Sequence, residues 1–341
     1  CPWRPIASAA RHHSGHHSAM LSRLAPRPRA LSSATRALRP LRVGGVPEHF
    51  NTPWHTAHAA GRFDELGLQV EWQDYPGGTG AMAADLRRGE LDLAVLLTEG
   101  IVTELHRHDH SKILATYVRT PLTWGVHVHS GASYHDVDSL HRAEGGARFA
   151  VSRMGSGSHL MAAVDARSRG VDPAHLQYEV VGSLQGARQA LAEGQAAAFM
   201  WEKFTTKPLV DSGEWRRVGE CVTPWPCFVV AATNTALEKF GPDLLEVLEV
   251  VRREAEQLES SPHAAETVGT MYGLEDADVR EWLGTTRWSC RPAVSHAMLQ
   301  GVMDALAGVG VLTQAELLPP AALVAHLAED LDPDLISAED N

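Results

Sequence analysis

The chain has 341 residues, 44% hydrophobic and 21% charged, which is the balance of a soluble globular protein long enough for two domains. No apolar run approaches the roughly 20 residues that a membrane-spanning helix needs. The formal net charge is −12, yet residues 1–40 hold seven Arg and no acidic residue, so the remainder carries −19. A body that acidic argues against nucleic acid and anionic membrane surfaces as partners.

From Met20 the text MLSRLAPRPRALSSATRALRPLRVGG is rich in Arg, Ser, Ala and Leu and lacks Asp and Glu. That is the composition of a transit peptide. Residues 1–40 are therefore expected to form a disordered leader cleaved near Arg39–Arg42. A mitochondrial destination is expected, with plastid or cytoplasm as alternatives.

The folded part is expected to begin with a strand over Leu41–Val46. A loop, Pro47–Thr52, leads to a helix from Pro53 to about Leu66, ended by Gly67. Leu68–Trp72 alternates as a strand should. Gly77-Gly78-Thr79-Gly80 is a tight loop opening a helix over Ala81–Arg88, which Gly89 stops. Leu91–Leu97 reads as a buried strand, followed by a helix from about Glu99 to His108 and a strand over Lys112–Tyr117. This β-α-β-α-β-α-β order calls for a parallel sheet with helices on both faces. Val118–Ser130 reads as a crossing between two lobes.

Beyond the crossing lie a short helix at Asp136–Gly145 and a strand at Ala147–Val151. Ser152–His159 then leads into a helix that runs to Arg169. A strand at Leu176–Val181, a helix at Ser183–Glu193 and a strand at Ala196–Met200 follow. Trp201-Glu202-Lys203-Phe204 is expected to begin a helix or turn. The layout of Gly80–Gly100 is repeated at Gly186–Phe204: Gly-Ala opens a helix, Gly stops it, and an apolar strand ends near an acidic residue, Glu99 or Glu202. The Pro224-Trp225-Pro226 segment is the candidate return crossing, leading to a strand at Phe228–Ala232. From Asn234 onward the chain reads as helical. The Pro242–Glu259 helix has Leu244, Leu245, Val247, Leu248, Val251 and Leu258 on its core face.

The four cysteines (Cys1, Cys221, Cys227, Cys290) form no CxxC pair and read as reduced, mostly buried thiols. His106, His108 and His110 lack the Cys or carboxylate that would complete a zinc shell, so no metal is expected. GxxxxGK[ST] and GxSxG are absent, and GGTG follows a second strand without the acidic ribose partner of a dinucleotide site. Gly78, Thr79 and Gly80, and Gly155, Ser156, Gly157 and Ser158, stand at strand-to-helix junctions. There, free N–H groups and the helix dipole bind an anionic group; plain turn chemistry is the alternative. Trp124, Trp201 and Trp225 are candidates to face a flat ligand, or else core. Glu99 and Glu202 suit an amine or aminopyrimidine, or else cap a helix start. Arg119 and Arg153 suit a carboxylate, sulfonate or phosphate.

LRVGGVPEHFNTPWHTAHAAGRFDELGLQVEW resembles the opening of the type 2 periplasmic-binding-protein-like family, in its nitrate/sulfonate/taurine and thiamine-pyrimidine-precursor cluster. The G-x-F-x-x-x-G-L-x-V pattern stands here as Gly61-Arg62-Phe63 to Gly67-Leu68-Gln69-Val70, and GGTGAMAADLRRGELDLAVLLTEG matches the Gly loop and G-E-L-D strand. The resemblance covers roughly 41–235 and looks most like the soluble eukaryotic branch. It implies an α/β, two-lobed fold, each lobe a mainly parallel sheet flanked by helices, with two crossovers and a helical C-terminal extension. Lobe I is expected at 41–123 and 224–330, lobe II at 124–223, and an acidic tail at 331–341. A small-molecule ligand is expected between the lobes, on Glu48, His49, Asn51, Thr52, Thr98 and the residues named above. Fungal thiamine-pyrimidine synthases of this family use a cysteine cluster and a lysine-bound pyridoxal phosphate. Neither a cysteine cluster nor a lysine within 46–63 is present, so no cofactor is expected and a non-enzymatic binding protein is the primary reading. The alternatives are an enzyme of thiamine-precursor metabolism on the same fold, or a ligand-dependent sensor or interaction protein with an unknown partner.

Overall fold

The computed structural model describes residues 37–143 and 145–329. Most of the expected leader, and the expected acidic tail, lie outside the described residues. Two sheets carry the strands β1 (Arg39–Gly45), β2 (Leu68–Asp74), β3 (Leu93–Leu97), β4 (Ser111–Val118), β5 (Thr123–His129), β6 (Arg148–Val151), β7 (Gln177–Val180), β8 (Ala198–Glu202), β9 (Trp215–Val222), β10 (Phe228–Thr233) and β11 (Trp288–Arg291). Lobe I has the order β11-β4-β10-β3-β1-β2, and lobe II the order β7-β6-β8-β5-β9. Helices flank both sheets, giving the two-lobed α/β architecture.

Strand direction follows from where the chain crosses. β1 lies parallel to β2 and β3, and β6 parallel to β7 and β8. A strand that enters a lobe from the crossing must run the other way. β5 is accordingly antiparallel to β8 and β9, and β10 antiparallel to β3 and β4. The sheets are mixed for this reason. β3 is buried along its whole length, which explains its unbroken Leu-Ala-Val-Leu-Leu run.

Several elements differ from the sequence expectation. β1 starts at Arg39, inside the segment read as leader. The helix expected over 53–66 is two, Thr52–Ala59 and Arg62–Glu65, because Gly61 turns between them with φ 69°. Trp201 and Glu202 end β8 instead of opening a helix. β9 continues to Val222 as an edge strand, where exposed charges hide the strand alternation. The C-terminal region holds β11 among its helices; this strand pairs with β4. In the Asp243–Ser260 helix, Leu244, Val247, Leu248, Val251 and Leu258 are buried, while Leu245 is only half-buried.

Two strands of chain, 119–122 and 223–227, join the lobes and are bonded to each other. Leu122 N–H donates to Thr223 Oγ1 (2.8 Å), Thr223 N–H to the Leu122 carbonyl (3.0 Å), and Cys227 N–H to the Thr120 carbonyl (3.2 Å). Thr223 is fully buried. Thr223→Val keeps the volume but strands the Leu122 N–H. The expected loss is about 1–3 kcal/mol of unfolding free energy in urea titrations; an unchanged midpoint would refute this account of the hinge.

Candidate functional site

Lobe I brings three segments to the face turned toward lobe II: the loop after β1, the Gly78–Thr79 junction, and the C-terminal end of β3. Gly78 holds φ 68° as the N-cap of the Thr79–Arg88 helix, a left-handed conformation that favours glycine. Thr79 Oγ1 accepts from the Leu97 N–H (3.1 Å), tying this helix start to the strand end. The loop after β1 is fixed from behind. The Phe50 carbonyl accepts from Tyr117 Oη (2.8 Å) and Trp288 Nε1 (3.0 Å), and the His49 ring meets Trp282 edge to face at 4.2 Å.

Lobe II answers with the start of the Gly157–Ser168 helix and the adjacent strands β5 and β8. The Ser156 side chain caps the helix, and Ser158 Oγ accepts from the Ser152 N–H (3.1 Å). Trp124 of β5 stands opposite Glu202 of β8 in the ladder, so both side chains occupy the same face. At Gly157 the two lobes pack tightly. A Cβ there would lie 2.5 Å from Leu97 Cδ1 of lobe I and 2.7 Å from Trp124 Cη2.

Between these surfaces is a cavity of about 30 Å³. That is room for about two water molecules. A larger solute enters only if the lobes part. Of the candidate residues, Glu48, Gly78, Thr79, Trp124, Ser156, Gly157, Ser158, Trp201 and Glu202 line the cavity. Val46, Leu97, Leu122, Ser152 and Phe228 complete the lining and were not singled out in the sequence. The apolar ones are strand ends or crossing residues that read as ordinary core.

The other candidates stand elsewhere, each for a local reason. His49 is packed behind Glu48 against Phe50 and Trp282. Asn51 Nδ2 donates to the Val46 carbonyl and Thr52 Oγ1 to the His49 carbonyl, so both shape the loop. Thr98 Oγ1 donates to the Pro226 carbonyl. Glu99 accepts from Trp225 Nε1 (2.9 Å), and the pair is buried beside the return crossing. Gly80 lies under the Arg153 guanidinium, whose Nη1 donates across the lobes to the Gly77 carbonyl (2.8 Å). Gly155 turns with φ 79° and lines an outer groove with His159. Arg119 donates its N–H to the Arg287 carbonyl, away from the cavity.

Two buried acids stand where the lobes meet. Trp201 Nε1 donates to Glu48 Oε1 (2.7 Å) across the cleft. Glu202 Oε2 accepts from the N–H groups of Phe204 (2.9 Å) and Thr205 (2.7 Å) and from Thr205 Oγ1 (2.9 Å). Burial, then the nearby Glu202 charge, push the Glu48 carboxyl up to about 8, against the pull of the Trp201 bond. Burial pushes Glu202 up to about 7 and Glu99 likewise to about 7. Burial drives His49 down to about 3. His49 is therefore neutral at pH 7, and its 3.8 Å approach to Glu202 Oε2 is not an ion pair.

These shifts set a pH dependence. A carboxyl that holds its proton more tightly when folded contributes stability at low pH and loses it as pH rises through the folded value. The buried histidines act in the opposite sense, but only below their ordinary value of about 6.5. From about pH 6.5 to 8 the acids act alone, so the melting temperature is expected to fall in that window. Glu48→Gln is expected to flatten the fall; a profile unchanged in the variant would contradict it.

The fold and these features were compared with known proteins. A family model described as Ca3427-like PBP matches residues 124–221, the span of lobe II. The solved structure of the Candida albicans CA3427 gene product, described as having the generic periplasmic binding protein fold, is 28% identical with a TM-score of 0.77. It is matched over 87% of this chain and 100% of its own. The alkanesulfonate-binding protein SsuA of Xanthomonas axonopodis pv. citri, solved with MOPS, is 18% identical with a TM-score of 0.70, over 83% and 97% of the two chains. PhnD1 of Prochlorococcus marinus, solved with methylphosphonate, is 12% identical with a TM-score of 0.55, over 80% and 99%. No curated protein matched the chain. The chain has the generic periplasmic-binding-protein fold, and the span of its second lobe matches the Ca3427-like PBP model.

Proposed function

We propose that the chain is a solute-binding protein that closes a hinged cleft on a small polar or heteroaromatic ligand, such as a thiamine-pyrimidine precursor, a sulfonate or a related metabolite. The observation that carries this reading is a cavity walled by both lobes across a two-stranded hinge. A ligand seated there bridges the lobes and favours the closed form by its contacts with each. The Thr79–Arg88 and Gly157–Ser168 helices begin at the cavity from opposite lobes, and their free N–H groups suit a polar or anionic ligand group. Trp124 and Trp201 supply flat apolar surface. SsuA and PhnD1, which share the fold, were solved with MOPS and methylphosphonate.

A thermal-shift screen with thiamine precursors, sulfonates, nitrate, bicarbonate and amino acids tests the reading. A true ligand raises the melting temperature with concentration by mass action and is recovered unchanged. Turnover of a hit would favour an enzyme, and no shift from any class would overturn solute binding. Gly157→Ala inserts a methyl group where the lobes touch. Overpacking of about 1–3 kcal/mol against closure weakens ligand binding about 5- to 150-fold. Part of the clash falls on Trp124 of the same lobe, so the melting temperature without ligand is expected to fall as well, and the test is a loss of the ligand-induced rise beyond that fall.

The leader makes the mitochondrion the proposed location. A C-terminal fluorescent fusion spread evenly through the cytosol would overturn that assignment.

A further inference from the structure

Glu48 and Glu202 reach one cavity from opposite lobes, and the hydrogen bonds described use one oxygen of each. The Lys203 charge favours an ionised Glu202. His49 Nε2 is aimed at Glu202 Oε2 from 3.8 Å, but the ring is 1% exposed and neutral, and that nitrogen has no hydrogen-bond partner. Lys203 is turned to Glu281 (2.9 Å) and Glu220 (3.6 Å). Tyr272, from the helix behind His49, and Cys227, from the return crossing, are held protonated by burial. Glu99 is the remaining acid nearby and is bonded to Trp225. Trp124 is the cross-strand neighbour of Glu202, and its Nε1 is buried without a partner. Two carboxyl groups beside two indole faces form surroundings that suit an organic cation.

We propose that Glu48 and Glu202 form a cation-accepting subsite that gates closure, the lobes shutting when a proton or a cationic nitrogen group of the solute lies at the pair. The inference rests on the reading of the cleft as a solute site. In the closed form without solute, a proton on the pair keeps two like charges from facing each other across the lobes. Once both carboxyls ionise, closure sets buried charge against buried charge, and parting the lobes admits water to both. An ammonium, amidinium or guanidinium group does the proton's work at a pH where the proton has left. A sulfonate lacking such a group adds to the charge instead of meeting it.

Small-angle scattering on the full chain tests this. On raising the pH from about 6 to about 9, the radius of gyration is expected to grow by on the order of 1 Å on about 20 Å. Glu48→Gln is expected to stay compact throughout. Glu99→Gln, which alters a buried acid outside the cavity lining, is expected to expand like the wild type. At the high-pH end, methylguanidine hydrochloride is expected to restore the compact form, and sodium methanesulfonate at equal ionic strength to leave the expanded one. A radius independent of pH, or expansion of Glu48→Gln equal to that of the wild type, overturns the gate. Compaction by methanesulfonate and not by methylguanidine overturns the cation assignment while leaving solute binding intact. Failure of the whole ligand screen removes the solute reading, and the pH arm still reports on the acid pair.

Discussion

The closed arrangement turns on one constraint: two carboxyl groups from opposite lobes are buried together. Taking an ionised carboxylate out of water costs several kcal/mol unless donors or opposite charge meet it. The local structure is arranged around that cost. Glu202 draws three donors from the turn that follows its own strand. Glu48 draws one, and that one comes from the other lobe. The Glu48–Trp201 bond is thus both a partner for a buried acid and a tie across the cleft. The position of Glu48 in turn depends on residues far along the chain. Trp282 and Trp288, from the C-terminal extension, hold the loop that carries it. That extension is therefore part of the site's support even though it contributes no cavity-lining residue.

The hinge shows the same economy. Two crossing segments bonded to each other move as a ribbon, and their bonds lie within the ribbon. Opening the cleft therefore spares them. Opening breaks ties between the lobes, among them Arg153 to the Gly77 carbonyl, Trp201 to Glu48, Arg167 to the Gly308 carbonyl, Lys203 to Glu281 and Lys207 to Asp278. The two lysine pairs are partly exposed and worth little each. The buried tie at the acids is the one that borders the cavity.

Much of the fold was legible because its punctuation is chemical. Gly89 ends a helix with φ 70°, Gly194 follows one with φ 69°, and the apolar run at 93–97 is a fully buried strand. β11 escaped because Trp-Ser-Cys-Arg is short and lies among helices, and β9 because an edge strand tolerates the half-buried Arg216 and Arg217 and the exposed Glu220. At the site, the glycine loops, Glu48, Glu202 and two of the three tryptophans announced themselves as residue types in loops or at strand ends. The pairing did not. The repeat of Gly80–Gly100 at Gly186–Phe204 made Glu99 and Glu202 counterparts at strand ends, but Glu99 falls in the first turn of a helix and turns to Trp225. Glu202 remains in its strand and meets Glu48, 154 positions away, where no local signal reaches.

The placement of β10 between β3 and β4 sets an order of assembly. During synthesis from the N-terminus, β1 to β4 emerge first, yet the centre of their sheet is a strand that follows all of lobe II. Lobe II, by contrast, draws its five strands from one continuous stretch and can complete itself as soon as β9 has emerged. The second lobe is thus the first able to finish, and the first waits with β3 open on one edge and β4 on both for the chain to return.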